Sequence, residues 1–211
     1  MTIIGQFHDL DRPDRFVWLR GFQDMEERAR SLAEFYGGAV WRANSKAANA
    51  TMIDSDDVLL LRPARPGSAF RLDGATRQTG AAGQGDGVVE ATILYLDGSA
   101  KTSWAVDLFE KAIAPAVAER GGTVLAYFVT EPSENTFPSL PVREGEEVLV
   151  WCVGYADRQT LERASGRAGE VRRSAAEALG SRRSPEVLRL APTARSRLNG
   201  HALGLHPVNT T

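Results

Sequence analysis

The chain has 211 residues, of which 43% are hydrophobic and 25% charged. That composition suits one large globular domain or two of about 100 residues each. A formal net charge of −2 gives no global electrostatic reason to expect a nucleic-acid or membrane partner. The single cysteine, Cys152, excludes an internal disulfide, and no apolar run approaches the roughly 20 residues that cross a bilayer. The opening MTIIGQFHDLD lacks the basic start and apolar run of a signal peptide, so the expected location is the cytoplasm.

In chain order, Thr2 to His8 and Phe16 to Phe22 read as strands joined by the turn chemistry of Asp11-Arg12-Pro13-Asp14. Met25 to Tyr36 reads as a helix ending at Gly37-Gly38, where a glycine at positive φ is expected. Asp57 to Leu61 is the next strand. Residues 65 to 87, with few large apolar side chains, read as a flexible linker. Val88 to Leu96 is β-branched and apolar, a strand. Thr102 to Arg120 has helical spacing of Trp104, Leu108, Phe109, Ile113 and Val117, with Pro115 expected to bend or shorten it. Strands at Val124 to Thr130 and Glu147 to Tyr155 flank the long connection EPSENTFPSLPVREG. Arg158 to Leu179 is a weakly amphipathic helix, Glu186 to Leu190 a last strand, and residues 199 to 211 an exposed tail.

The chain repeats itself. VWLRGFQD at Val17 to Asp24 and VWCVGYAD at Val150 to Asp157 both fit V-W-x-x-G-[aromatic]-x-D. Each is followed by a helix and then by similar strand text, LLLRPA and LRLAPTA. The second unit, residues 88 to 198, reads β-α-β-β-α-β, the ferredoxin-like order. The first unit, residues 1 to 64, begins on the second strand of that pattern and lacks its opening β-α. The fold expectation is α+β: tandem ferredoxin-like repeats in an α/β-barrel-type arrangement. A half-unit leaves an edge strand unpaired and an apolar face uncovered. Three accounts stay open: the chain starts inside the natural unit, another subunit supplies the cover, or the second unit fills the gap. Paired sheets and an exposed edge lead us to expect a homodimer.

The stretches FVWLRGF, FYGGAVW and ANATMIDSDDVLLLRPA in the first unit resemble bacterial members of the NIPSNAP family. ENTFPSLPVREGEEVLVW and RLAPTARS in the second resemble the same subgroup, in which the first unit carries its opening β-α. The resemblance implies the dimeric α/β-barrel superfamily, with two ferredoxin-like sheets enclosing a cavity. It also implies a choice of chemistries: cofactor-free oxygenation, lyase or isomerase steps, or haem-dependent dehydration. The fold analogy leaves the reaction open.

Strand alternation places Val17, Leu19 and Gly21 on one face, suited to packing under a helix. Phe16, Trp18, Arg20 and Phe22 take the other, an aromatic face around one cation that suits a cavity for a planar or anionic ligand. Arg20 then contacts a ligand or pairs with Asp54 or Asp56. Ile4, Gln6 and His8 share a face of the neighbouring strand. Histidine is the residue type suited to proton transfer near neutral pH, so His8 is a candidate general acid or base, or else an exposed loop-edge residue. Arg20 and His8 are the catalytic candidates. Gln6, Trp18, Tyr36, Trp41, Asn44, Asn135 and Arg143 are the ligand-binding candidates, with core packing, a rigid hairpin or a dimer contact as the plain alternatives. His201 and His206 lack the spacing of a metal site. Cys152, in an apolar strand, reads as an inert thiol. No cofactor is expected. Three functions stay open: a cofactor-independent enzyme acting on an aromatic or polyketide-like molecule, a non-catalytic binding or scaffold protein, and a haem protein.

Overall fold

The two copies of the repeated motif adopt the same local structure. In each, a strand leads to an aspartate that caps the next helix. Asp24 accepts from the Glu27 N–H at 2.7 Å and Asp157 from the Thr160 N–H at 2.6 Å. Each bond satisfies a backbone donor that the first helical turn leaves orphaned. The computed structural model describes residues 1–52, 54, 56–72, 86–181 and 183–198.

Seven strands form one curled antiparallel sheet: β1 (Thr2–Asp9), β2 (Phe16–Gly21), β3 (Leu61–Pro63), β4 (Val88–Tyr95), β5 (Thr123–Thr130), β6 (Val148–Tyr155) and β7 (Glu186–Pro192). Their order is β2-β1-β7-β4-β6-β5-β3. Every residue of β4 and β6 is buried, as expected of strands paired on both sides and covered on both faces. The first stretch of chain is divided between the ends of the sheet. β1 joins it by pairing with β7, whereas β3 pairs with β5 at the far end. Pro63 lacks an N–H and is tolerated because β3 is a terminal strand.

The helices are α1 (Met25–Gly37), α2 (Ala39–Asn49), α3 (Thr102–Leu108), α4 (Ala114–Ala118) and α5 (Arg158–Ala178). A π-helical turn, Phe109–Ile113, joins α3 and α4 into one rod. Pro115 cannot donate to the ladder, and the wider turn just before it absorbs the misfit, so the helix continues to Ala118. The expected strand at Asp57 to Leu61 forms later, at Leu61–Pro63. Before it, Val58 and Leu60 already offer carbonyls to the N–H groups of Arg143 and Glu131.

Alternation along β4 and β6 separates two apolar layers. On the helical side, Val88, Leu94, Leu149, Trp151, Val153 and Tyr155 meet Phe109, Ile113, Leu161 and Leu179. The Trp151 and Phe109 rings lie 5.3 Å apart. Burying each such side chain contributes about 1.5–3 kcal/mol. On the opposite side, Val89, Ala91, Cys152 and Leu190 meet Phe7, Val17, Leu19 and Leu198, while Leu59 and Leu61 cover Ile93 and Val150. Phe70 and Leu72 join this layer, so the start of the expected linker is packed against the sheet; residues 73–85 and the tail from 199 lie outside the described residues.

Glu90 and Arg172 form an ion pair at 2.7 Å beneath α5, with side chains 2% and 10% exposed. Removing one partner strands a buried charge. Glu90→Ala is expected to lower unfolding free energy by about 3–5 kcal/mol, measured by urea denaturation. A loss within error of an exposed-site control contradicts the buried-pair assignment.

Candidate functional site

The β1–β2 register explains which residues meet. β1 carries a bulge between Ile3 and Gly5, after which Gln6 lies opposite Trp18, and His8 opposite Phe16. The extra residue turns Ile4 away from Gln6 and His8 and into the layer around Phe7. A side chain at Gly5 would collide with the Phe7 ring.

The two faces of β2 are the reverse of the sequence expectation. Val17 and Leu19 pack in the helix-free layer with Phe7, Val89 and Leu190. Trp18 lies instead against Phe35 of α1, with ring centroids 6.1 Å apart. The physical reason is volume. The helix-free side is already filled by Phe7 from β1 and by Val89, Ala91 and Leu190 from β4 and β7, and takes the small branched side chains of β2. The side under α1 takes the Trp18 ring against Phe35.

Around α1 the aromatic residues form a continuous cluster. Phe35 and Tyr36 are 5.0 Å apart, Tyr36 and Trp41 5.0 Å, and Tyr36 stacks on Phe137 at 5.6 Å. Glu34, Phe35, Gly38, Ala39, Val40, Trp41 and Asn44 line an open cleft of about 390 Å³. Two expected binding residues, Trp41 and Asn44, are therefore brought to one cleft. The Asn44 amide donates to the Val40 carbonyl at 2.8 Å, leaving its carbonyl oxygen available. Gly38 serves here without positive φ: its backbone is extended, at φ −71° and ψ 154°. Glycine suits the position because an added Cβ would lie 3.0 Å from the Glu34 carbonyl oxygen.

Arg20 lies 4.8 Å from the Trp18 ring centre, a cation–π contact. Its Nη1 and the Trp18 Nε1 are both fully buried and have no hydrogen-bond partner among the described residues. Neither Asp54 nor Asp56 forms an ion pair with Arg20 among the described residues.

Sequence reasoning missed Arg28. It occupies the α1 position that corresponds to Leu161 after the second motif, and it is only 3% exposed. Its Nη1 donates to Asn135 Oδ1 at 3.0 Å and to Thr136 Oγ1 at 3.3 Å. Burial, and after it the charge of Arg20, pull Arg28 below the usual arginine range. The signal was present in the aligned motifs, where an arginine stands for a core leucine.

The other expected residues lie elsewhere or are engaged. Asn135 accepts from Arg28 and the Phe137 N–H and donates to the Leu140 carbonyl, so it organises the β5–β6 connection. Arg143 pairs with Asp57, donates to the Tyr95 hydroxyl at 3.0 Å and lies 3.5 Å from Glu186. That network belongs to the sheet end near Tyr95, where the Tyr95 hydroxyl also donates to Glu186 at 3.1 Å. Gln6 shares the Trp18 face, and its backbone carbonyl accepts from the Thr193 N–H at 2.8 Å. His8 is exposed and meets the edge of the Phe16 ring, with centroids 5.9 Å apart. Cys152 is buried, and burial pushes its thiol up to about 12, which leaves no thiolate near neutral pH. His201 and His206 lie outside the described residues.

The fold defines an α+β protein with a curled antiparallel seven-stranded sheet, and no described helix is long and apolar enough to cross a membrane. No family model, curated protein or solved structure matches the chain. The likeness to the NIPSNAP family therefore rests on the quoted sequence stretches alone.

Proposed function

We propose that this chain is a NIPSNAP-like small-molecule-binding protein that takes an aromatic or polyketide-like ligand in the α1–α2 cleft. The carrying observation is the cleft itself: about 390 Å³, walled by Phe35 and Trp41, with Asn44 at its margin. That volume and lining match a small-ligand site. The side of the sheet where a barrel-type protein would enclose its ligand is instead occupied by Leu59, Leu61, Phe70 and Leu198.

Binding is favoured over catalysis. Among the described residues lining the cleft, Glu34 is the single ionisable side chain. An acid–base mechanism needs a positioned pair of proton donor and acceptor, which this lining does not supply.

Two further readings belong to the same proposal. Strands β7-β4-β6-β5, joined through α3–α4 and α5, follow the ferredoxin-like connection order, which supports a ferredoxin-like unit in residues 88–198. The terminal strands β2 and β3 pair on one side only among the described residues, which supports the homodimer.

The direct test is saturation-transfer NMR with 2-naphthamide, a neutral aromatic probe. Wild-type protein is expected to bind it, and Trp41→Ala to bind about fivefold more weakly through the lost ring contact. Binding unchanged by Trp41→Ala overturns the cleft assignment. Light scattering of the wild-type sample is expected to give twice the chain mass. A single-chain mass at micromolar concentration removes the dimer from the proposal.

A further inference from the structure

Arg20 and Arg28 feel each other's charge, and neither is paired with a carboxylate of the described residues. Arg28 lies at a core position and is 3% exposed, yet it donates to the neutral oxygens of Asn135 and Thr136. Thr136 is itself held in place, donating to the Met25 carbonyl at 2.9 Å. Arg20 lies over Trp18, and its Nη1 is buried without a partner among the described residues. The Trp18 Nε1 beside it is a second buried donor without an acceptor. Neither arginine forms an ion pair with a carboxylate of the described residues.

A buried guanidinium is costly without a counter-charge, and two close together are costlier. The second unit avoids the cost by placing Leu161 at the matching position. The contrast with Glu90 and Arg172 is direct: where this fold buries an arginine under α5, it supplies a carboxylate at 2.7 Å. Around Arg20 and Arg28 it supplies only the neutral acceptors of Asn135 and Thr136, and no carboxylate of the described residues pairs with either.

We infer that Arg20, Arg28 and the Trp18 indole N–H form a binding site for the carboxylate of an aromatic small molecule. Guanidinium groups bind a planar carboxylate through paired N–H bonds, and the indole adds a third donor. Phe35 links this site to the cleft. It touches Trp18 on one side and lines the cleft beside Trp41 on the other. Trp18, Arg20 and Arg28 lie outside the cleft lining and their free donors are buried, so the ligand's acid group reaches them only as the Phe35 ring moves aside, with the ligand's ring resting on Trp41. This inference rests on the reading of the α1–α2 cleft as a ligand site.

The test compares an isosteric pair, 2-naphthoate and 2-naphthamide, by isothermal titration calorimetry on the full chain. Wild-type protein is expected to bind naphthoate at least about tenfold more tightly than the amide, as charged hydrogen bonds warrant. Arg20→Ala and Arg28→Leu are expected to erase that preference, weakening naphthoate binding at least about tenfold more than amide binding. Arg28→Leu installs the residue type of Leu161, so it is expected to fold, which circular dichroism checks. Arg20→Lys, which keeps the charge but loses the planar fork, is expected to retain part of the preference. Equal affinities in the wild type overturn the carboxylate site and leave the aromatic cleft standing. So does a naphthoate preference that survives both substitutions. Failure of both ligands to bind overturns the cleft reading and this site with it.

Discussion

The antiparallel pairing of β1 with β7 and of β3 with β5 is the constraint on which the rest of the structure depends. It sends the first stretch of chain to both ends of a sheet whose middle, β7-β4-β6-β5, comes from later residues. The connection carrying α1 and α2 leaves β2 at one end and delivers the chain to β3 at the other. The sheet curls, and that connection spans its ends. This brings the start of α1 against the β5–β6 connection, where Thr136 donates to the Met25 carbonyl and Asn135 accepts from Arg28. The candidate site therefore combines side chains from α1 and α2 with a loop more than one hundred positions away in sequence.

Much of the architecture is legible in the residues. The motif V-W-x-x-G-[aromatic]-x-D marks a strand, a capping aspartate and a helix in both copies, because each step has a local cause: β-branched alternation, then a side-chain acceptor for an orphaned N–H. The burial of β6 follows from its unbroken apolar text, whereas the apolar text of β4 is interrupted by Thr92 and by Glu90, which Arg172 pairs. What local reasoning misses depends on contacts made from a distance. The bulge at Ile3 and Gly5 changes which side chains share a face, and nothing in TIIGQFHD marks it except a glycine. The inverted faces of β2 reflect how crowded each side of the sheet is, a property of the assembled layers. Gly38 is present for a close approach to the Glu34 carbonyl oxygen, not for the positive φ that a glycine pair after a helix suggests.

The site was partly legible for the same reasons. Trp18, Arg20, Tyr36, Trp41 and Asn44 gather around α1 because β2 and α1 are neighbours in sequence. Arg143 and His8 do not join them. Arg143 is engaged by Asp57, Tyr95 and Glu186 at another part of the sheet, and His8 is exposed beside Phe16. Arg28 was missed because a helical arginine reads as a solvated side chain. Only the neighbouring loop, arriving from the second half of the chain, makes it a buried one.

The central claim is that ligand chemistry belongs to the α1–α2 side and not to the aliphatic layer on the helix-free face of the sheet. Hydrogen–deuterium exchange by mass spectrometry, with and without 2-naphthoate, tests it most directly. Slowed exchange is expected in peptides covering residues 18–44 and 133–137, with β4 and β7 unchanged. Slowed exchange confined to β4, β7 and the segment around Phe70 would contradict the account and return the ligand to the interior of the sheet.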